Sequence, residues 1–145
     1  MLAIREIIMP AITNGLHHLG LTVSDLGAAK EFFTGALGHE VVAENPDYPA
    51  CFVSDGTTMI TLWRAEDGSE AVPFDRRKNV GLHHAAFLVQ TEALPDLFST
   101  VSGWPGTKID APIGEVAPGM DASHFIAFIP GGPRVEFLCS PAVPA

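Results

Sequence analysis

Three side chains with metal-binding chemistry lie in apolar stretches of the chain. His18 and His84 each end a Gly-Leu-His-His sequence, at residues 15–18 and 81–84, and each precedes an apolar run. Glu136 is the only acid in the apolar stretch 125–140. An ionised carboxylate between apolar strand residues is costly unless a cation or a hydrogen-bond donor meets it. Two imidazoles and one carboxylate form the donor set of a mononuclear divalent-metal site with open positions.

The alternation of side chains along a strand places these three groups on comparable faces. In each of three predicted strands the aliphatic residues share one face, which we expect to pack on helices. His18, His84 or Glu136 then lies on the opposite face, which we expect to be the concave side of a sheet. His17 and His83 are expected to point the other way.

Each of these groups also has a simpler interpretation when it is taken alone. A single histidine in a strand is more often a hydrogen-bonded core residue than a ligand, and Glu136 alone could pair with Arg134. The repeated placement of histidine favours metal binding, because a histidine would have to occur by chance at both of two related positions.

An internal repeat positions the histidines. After each Gly-Leu-His-His the chain has the pattern of a strand, an amphipathic helix that ends near Gly38 or Gly103, and three short strands. Ser24 or Asp25 is the expected cap of the first helix, and Thr91 that of the second. The pattern predicts an α+β fold of two paired βαβββ modules around a shared core. The short strands are predicted at 39–43, 50–54, 58–64, 108–116, 124–129 and 134–139.

Length and composition limit the class of protein. The chain has 145 residues, of which 47% are hydrophobic and 17% charged, as suits one globular domain. We divide it into modules 15–80 and 81–140, with an arm or extra strand at 1–14. A net charge of −9 argues against nucleic-acid and anionic-membrane partners. The open positions of the predicted metal site would take water, oxygen or a small-molecule substrate. No apolar run is long enough to span a bilayer and no signal-peptide pattern is present, so a cytoplasmic location is expected. In that compartment Cys51 and Cys139 are expected to be buried thiols, with a disulfide as the alternative.

Several residues share the strand parity of the proposed ligands. His124 is a candidate general acid or base near neutral pH, or it caps a strand edge, and Glu136 shares the catalytic assignment. Thr61, Trp63 and Phe128 are candidate substrate contacts, although large aromatic side chains are also ordinary core residues. Weaker candidates, for which a surface or loop role is the default, are Tyr48, Arg64 and Arg134.

Three stretches carry a resemblance to a known family. "HLGLTVSDLGAAKEFFTGALGHEV" (18–41), "HHAAFLV" (83–89) and "RVEFL" (134–138) resemble the vicinal oxygen chelate superfamily, which includes glyoxalase I, bleomycin-resistance proteins, fosfomycin-resistance enzymes, methylmalonyl-CoA epimerase and extradiol dioxygenases. The resemblance covers about residues 15–140. It implies a half-open, mostly antiparallel barrel, a homodimer, and a divalent ion (Fe, Mn, Zn or Ni) held by His18, His84 and Glu136.

One departure from the family pattern bears on the reaction. Glyoxalase I and the epimerase usually take a fourth ligand from the last strand of the first module, where this chain has Thr61. The sequence therefore favours a metal-dependent enzyme with three protein ligands, an extradiol-type dioxygenase being the first hypothesis. A glyoxalase-like lyase, isomerase or thiol transferase with the metal as Lewis acid is the second hypothesis. A non-catalytic resistance protein that binds a small molecule is the third.

Overall fold

The structure, a computed structural model, describes residues 10–140 and contains two four-stranded sheets, each built from one half of the chain. In the first half, β1 (His18–Val23) leads into α1 (Leu26–Glu31), which continues as a π-helical turn (Phe32–Ala36). The strands β2 (Glu40–Asn45), β3 (Ala50–Ser54) and β4 (Met59–Arg64) follow. In the second half, β5 (Ala85–Leu88), a 3₁₀ turn (Thr91–Ala93) and α2 (Leu94–Ser102) precede β6 (Lys108–Glu115), β7 (Ser123–Phe128) and β8 (Arg134–Cys139).

The two sheets have the same topology. Their strand orders are β1-β4-β3-β2 and β5-β8-β7-β6, with the first and fourth strands of each module parallel and the other pairs antiparallel. The predicted α+β class and the repeated βαβββ pattern are therefore confirmed. The sheets do not close on themselves, so β1 and β5 are both edge strands.

Burial alternates along the strands as the sequence pattern predicts. In β1, Leu21 and Val23 are buried while His18, Gly20 and Thr22 are exposed. In β8, Val135 and Phe137 are buried on the face opposite Glu136. The apolar faces of both sheets contribute to a single core, which α1 and α2 also enter. The burial of one face thus decides which face carries the polar residues.

The two helices begin differently. The carboxylate of Asp25 accepts a hydrogen bond from the backbone N–H of Ala28 at 2.9 Å, so Asp25 is the cap of α1. The expected cap by Thr91 is wrong: Thr91 begins a 3₁₀ turn, and α2 starts after Ala93 with no side-chain cap. Pro95 lies in the first turn of α2, where no intrahelical N–H bond is needed.

The modules meet where the end of β1 contacts the β7–β8 turn. The backbone N–H of Ser24 donates to the carbonyl of Gly131 at 2.9 Å. Gly131 has φ of +93°, and a Cβ at this position would lie 2.8 Å from the Cβ of Val23. Glycine is needed here both for backbone conformation and for the close approach of the modules.

Other expectations are settled only in part. Both Cys51 and Cys139 are buried and free, as expected for thiols. Over residues 10–140, no helix is long and apolar enough to cross a membrane. The proposed arm at 1–14 falls mostly outside the described residues, which begin at residue 10.

We predict that Gly131→Ala destabilises the protein by about 2–4 kcal/mol, because it adds steric overlap with Val23 to the cost of a positive φ. Gly132→Ala is the matched control, since Gly132 has φ of +109° but no atom within 4 Å of an added Cβ. Urea unfolding should give a loss for Gly131→Ala that exceeds the control by at least about 1 kcal/mol. Equal losses would contradict the close packing of the modules.

We also predict that His39 makes the native state sensitive to acid. His39 is buried between the rings of Phe33 and Phe87, and its Nδ1 has no hydrogen-bond partner among residues 10–140. Burial lowers its pKa against a weaker opposing effect of Asp55. Because the pKa is lower in the folded state, stability is lost as pH falls below the unfolded value of about 6.5. His39→Phe should lose less stability between pH 7 and pH 5.5 than the wild type, as measured by urea unfolding. His17→Phe, at an exposed position, is the control and should follow the wild-type profile.

Candidate functional site

The exposed face of the first sheet carries His18, Gly20, Thr61 and Trp63. Gly20 pairs with Thr61 across β1 and β4, and a Cβ on Gly20 would lie 3.2 Å from Thr61 Oγ1. The Thr61 side chain is buried, and its Oγ1 accepts a hydrogen bond from Trp63 Nε1 at 2.9 Å. The hydroxyl of Thr61, at the position of the missing fourth ligand, is therefore already hydrogen-bonded to Trp63. Gly20 has no side chain beside this hydroxyl.

Aromatic rings continue this face beyond Thr61. The ring of Trp63 lies 5.1 Å from that of Tyr48 and 5.5 Å from that of Phe52, measured between centroids. Phe52 pairs with Thr61 across β3 and β4, so it shares the same face. The three rings make a partly exposed aromatic wall. Of these residues, the sequence predicted Trp63 as a substrate contact and Tyr48 as a weaker candidate.

The exposed face of the second sheet carries Glu136 and His124. His124 Nδ1 lies 3.2 Å from Glu136 Oε2, and their side chains are only 15% and 13% exposed. His124 is therefore a hydrogen-bond partner of the Glu136 carboxylate. Arg134 pairs instead with Asp110, through Nε to Oδ2 at 3.0 Å, so the expected alternative of an Arg134–Glu136 pair is not observed.

His84 immediately precedes β5 of the second sheet. Ala86 pairs with Glu136 across β5 and β8, and His84 is two residues before Ala86. His84 itself lies outside β5, and the parallel register continued by one residue places it level with Arg134. Its Nδ1 contacts Nδ1 of His83 at 2.7 Å, so one ring of this pair supplies a proton and the other a lone pair.

The two Gly-Leu-His-His sequences adopt similar local geometry. The rings of His17 and His18 are arranged edge to face with centroids 5.2 Å apart, and those of His83 and His84 with centroids 5.0 Å apart. His17 and His83 therefore do not point away from their neighbours as expected, because both residues precede a strand and strict alternation does not apply to them. The pKa of His83 is lowered by desolvation and then by the positive charges of His84, Arg134 and Arg76.

The three proposed ligands do not meet within one chain. His18 lies on the first sheet, whereas His84 and Glu136 lie on the second. Among residues 10–140, no three His, Cys, Asp or Glu side chains are close enough to share an ion. Each sheet therefore carries one part of the predicted trio.

A groove of about 1000 Å³ lies between β1, the segment joining the modules, and the β7–β8 turn. Phe128, Arg134 and Arg76 border it. The approach of Arg76 to Asp110, at 3.8 Å, joins the linker to β6. The alternation of side chains in β8 puts Arg134 on the same face as Glu136, and this was the sequence feature that indicated the position of Arg134. Arg64 borders a separate recess of about 350 Å³.

Comparisons with known proteins place this geometry in a family. A model described as the Glyoxalase/Bleomycin resistance protein/Dioxygenase superfamily matches residues 15–137. No curated protein matches the chain.

Solved structures share the fold at low sequence identity. The glyoxylase/bleomycin resistance protein/dioxygenase domain from Frankia sp. EAN1pec is 22% identical with a TM-score of 0.72, covering 90% of this chain and 94% of that one. The genomically encoded fosfomycin resistance protein FosX from Listeria monocytogenes is 15% identical with a TM-score of 0.70, covering 90% and 97%. The lactoylglutathione lyase from Agrobacterium tumefaciens is 21% identical with a TM-score of 0.65, covering 88% and 94%. At these identities the likeness concerns the fold alone.

Proposed function

The chain belongs to the glyoxalase/bleomycin resistance protein/dioxygenase superfamily, and we propose that it is an enzyme that uses a divalent metal ion held by His18, His84 and Glu136. The observation that carries this proposal is Glu136, a carboxylate only 13% exposed in an otherwise apolar strand, whose one side-chain partner among residues 10–140 is the imidazole of His124 at 3.2 Å. A cation beside Glu136 would offset the cost of keeping this charge in an apolar strand.

The donor set fits such an ion. Imidazole nitrogens and a carboxylate oxygen suit iron, manganese, zinc or nickel, and three protein ligands leave positions open for water and substrate. When bound, the ion would polarise a substrate oxygen and hold the substrate in place. His84 and Glu136 both belong to the second module, so in this proposal that module supplies two of the three ligands.

We propose that a second copy of the chain supplies His18. The polar faces of the two sheets remain open, with Leu88 of β5 62% exposed, and both β1 and β5 are edge strands. An open apolar residue and an unpaired strand edge are features that protein association commonly covers. In the proposed homodimer, the first sheet of one copy faces the second sheet of the other, so that two equivalent sites form.

The remaining site residues take roles from their contacts. His124, at 3.2 Å from Glu136, either orients this carboxylate or exchanges a proton with substrate beside it. Trp63 and Phe128 supply apolar walls for a substrate, and Thr61 holds the indole of Trp63 in place.

The engagement of Thr61 supports a site with three protein ligands. Its hydroxyl accepts from Trp63, so it is poorly placed to act as the fourth ligand of a glyoxalase-type centre. An extradiol-type dioxygenase, in which catecholate and dioxygen need the open positions, is therefore our first candidate. A lyase, isomerase or thiol transferase is the second candidate, favoured by the likeness in fold to FosX and to the lactoylglutathione lyase.

We predict that the wild-type protein, purified without a metal-affinity tag, binds one Fe(II), Mn(II) or Zn(II) ion per chain in calorimetric titration. Glu136→Ala should weaken this binding more than a hundredfold, because loss of a direct ligand should exceed the effect of about 10–100-fold typical of residues behind the ligands. Glu115→Ala, an exposed acid on the same sheet, is the control and should leave binding unchanged.

Retention of a stoichiometric ion by Glu136→Ala would contradict the proposed site, as would a wild-type protein that binds none of these ions in excess. Activity of the loaded protein separates the candidates. Ring cleavage of catechol with Fe(II) supports the dioxygenase, and turnover of the methylglyoxal–glutathione adduct supports the lyase.

A further inference from the structure

Two arginines converge on one carboxylate at the edge of the groove. Arg134 Nε lies 3.0 Å from Asp110 Oδ2, and Arg76 Nη2 lies 3.8 Å from the same oxygen. The carboxylate of Asp110 is thus shared between two guanidinium groups, so neither arginine has a carboxylate to itself. The chain has only 8 lysines and arginines and a net charge of −9. Two neighbouring arginines at a groove are therefore an unusual feature of this surface.

The contact made by Arg76 leaves most of its donors available. At 3.8 Å it is an ion pair without a close hydrogen bond, and Arg76 has no other ion-pair partner among residues 10–140. Asp75 also borders the groove, where its carboxylate accepts a hydrogen bond from the backbone N–H of Arg77 at 2.9 Å. It is held in a turn of the linker and forms no ion pair with Arg76 or Arg134. A guanidinium with free donors can hold a carboxylate in two parallel hydrogen bonds.

The rest of the groove is mainly apolar. Val72, Pro73, Phe74, Val80, Leu82 and Phe128 contribute to its walls. Its volume of about 1000 Å³ is large enough for a small organic ligand. An apolar cavity with a charged group at one end is complementary to an apolar molecule that carries one anionic group.

We infer that the groove binds an organic carboxylate with an apolar body, and that Arg76 and Arg134 hold its carboxylate. This inference rests on the proposed function in one respect: it assigns the acid as the substrate of the metal centre. Arg134 and Glu136 are two residues apart on the same face of β8, which is about 7 Å along the strand. An acid held by the arginines therefore lies within one small-molecule length of Glu136. The apolar walls favour such an acid over inorganic phosphate, which has no apolar body to bury.

The test uses 4-fluorobenzoate and its neutral isostere 4-fluorobenzamide as probes, observed by fluorine NMR titration. The protein is kept in chelator, so that a carboxylate cannot bind through a metal ion. The wild type should bind the benzoate at least about tenfold more tightly than the amide, because charge-assisted hydrogen bonds are stronger than neutral ones. Inorganic phosphate should compete less well than unlabelled benzoate.

Arg76→Gln and Arg134→Gln should each weaken benzoate binding about tenfold and leave amide binding unchanged. Arg77→Gln is the matched control, since Arg77 is exposed, adjacent in sequence and outside the groove lining. If Arg134→Gln fails to fold, Arg76→Gln on the linker still decides the result.

Equal binding of benzoate and amide, equal binding by Arg76→Gln and Arg77→Gln, or tighter binding of phosphate would each overturn the inference. The metal titration is run separately on the same preparation. Metal binding without selective acid binding refutes only the carboxylate groove. Selective acid binding without metal binding refutes only the proposed metal centre.

Discussion

The burial of one apolar face per sheet is the constraint on which the rest of the structure depends. In β1 and β8 every second residue is aliphatic, aromatic or cysteine and enters the core that both modules share with the helices. The intervening residues, His18 and Glu136 among them, must then lie on the opposite face, since a shift of one residue would exchange the faces. The position of each proposed ligand is thus a consequence of packing on the other side of its strand.

The same constraint explains why one chain carries an incomplete trio. The modules pack through their apolar faces and meet at the tight contact of Gly131 with Val23, so their polar faces remain available to other molecules. His84 and Glu136 belong to one such face and His18 to the other. The groove beside β1 lies between the modules, with Arg76 and Arg134 at its edge, and Arg134 is two residues before Glu136 in β8.

Much of this organisation follows from local patterns in the sequence. The bounds predicted for β3 and β8 match the structure, and the family resemblance seen in three stretches is confirmed by the match over residues 15–137. The errors concern features that depend on context: Thr91 begins a 3₁₀ turn, and His17 and His83 contact their neighbours because they precede the strands. The convergence of Arg76 with Asp110 joins residues far apart in the chain, so no local pattern could indicate it. Whether His18, His84 and Glu136 hold an ion stays a prediction.

A subunit-mixing experiment tests most directly whether two copies complete each site. His18→Ala and Glu136→Ala are prepared separately, and each should bind no ion. Equal amounts are then unfolded and refolded together, and the metal content is measured. If each site draws His18 from one copy and Glu136 from the other, half of the dimers regain one intact site, and the mixture binds about a quarter of the wild-type metal. A mixture that binds no more metal than the separate variants would contradict the shared site.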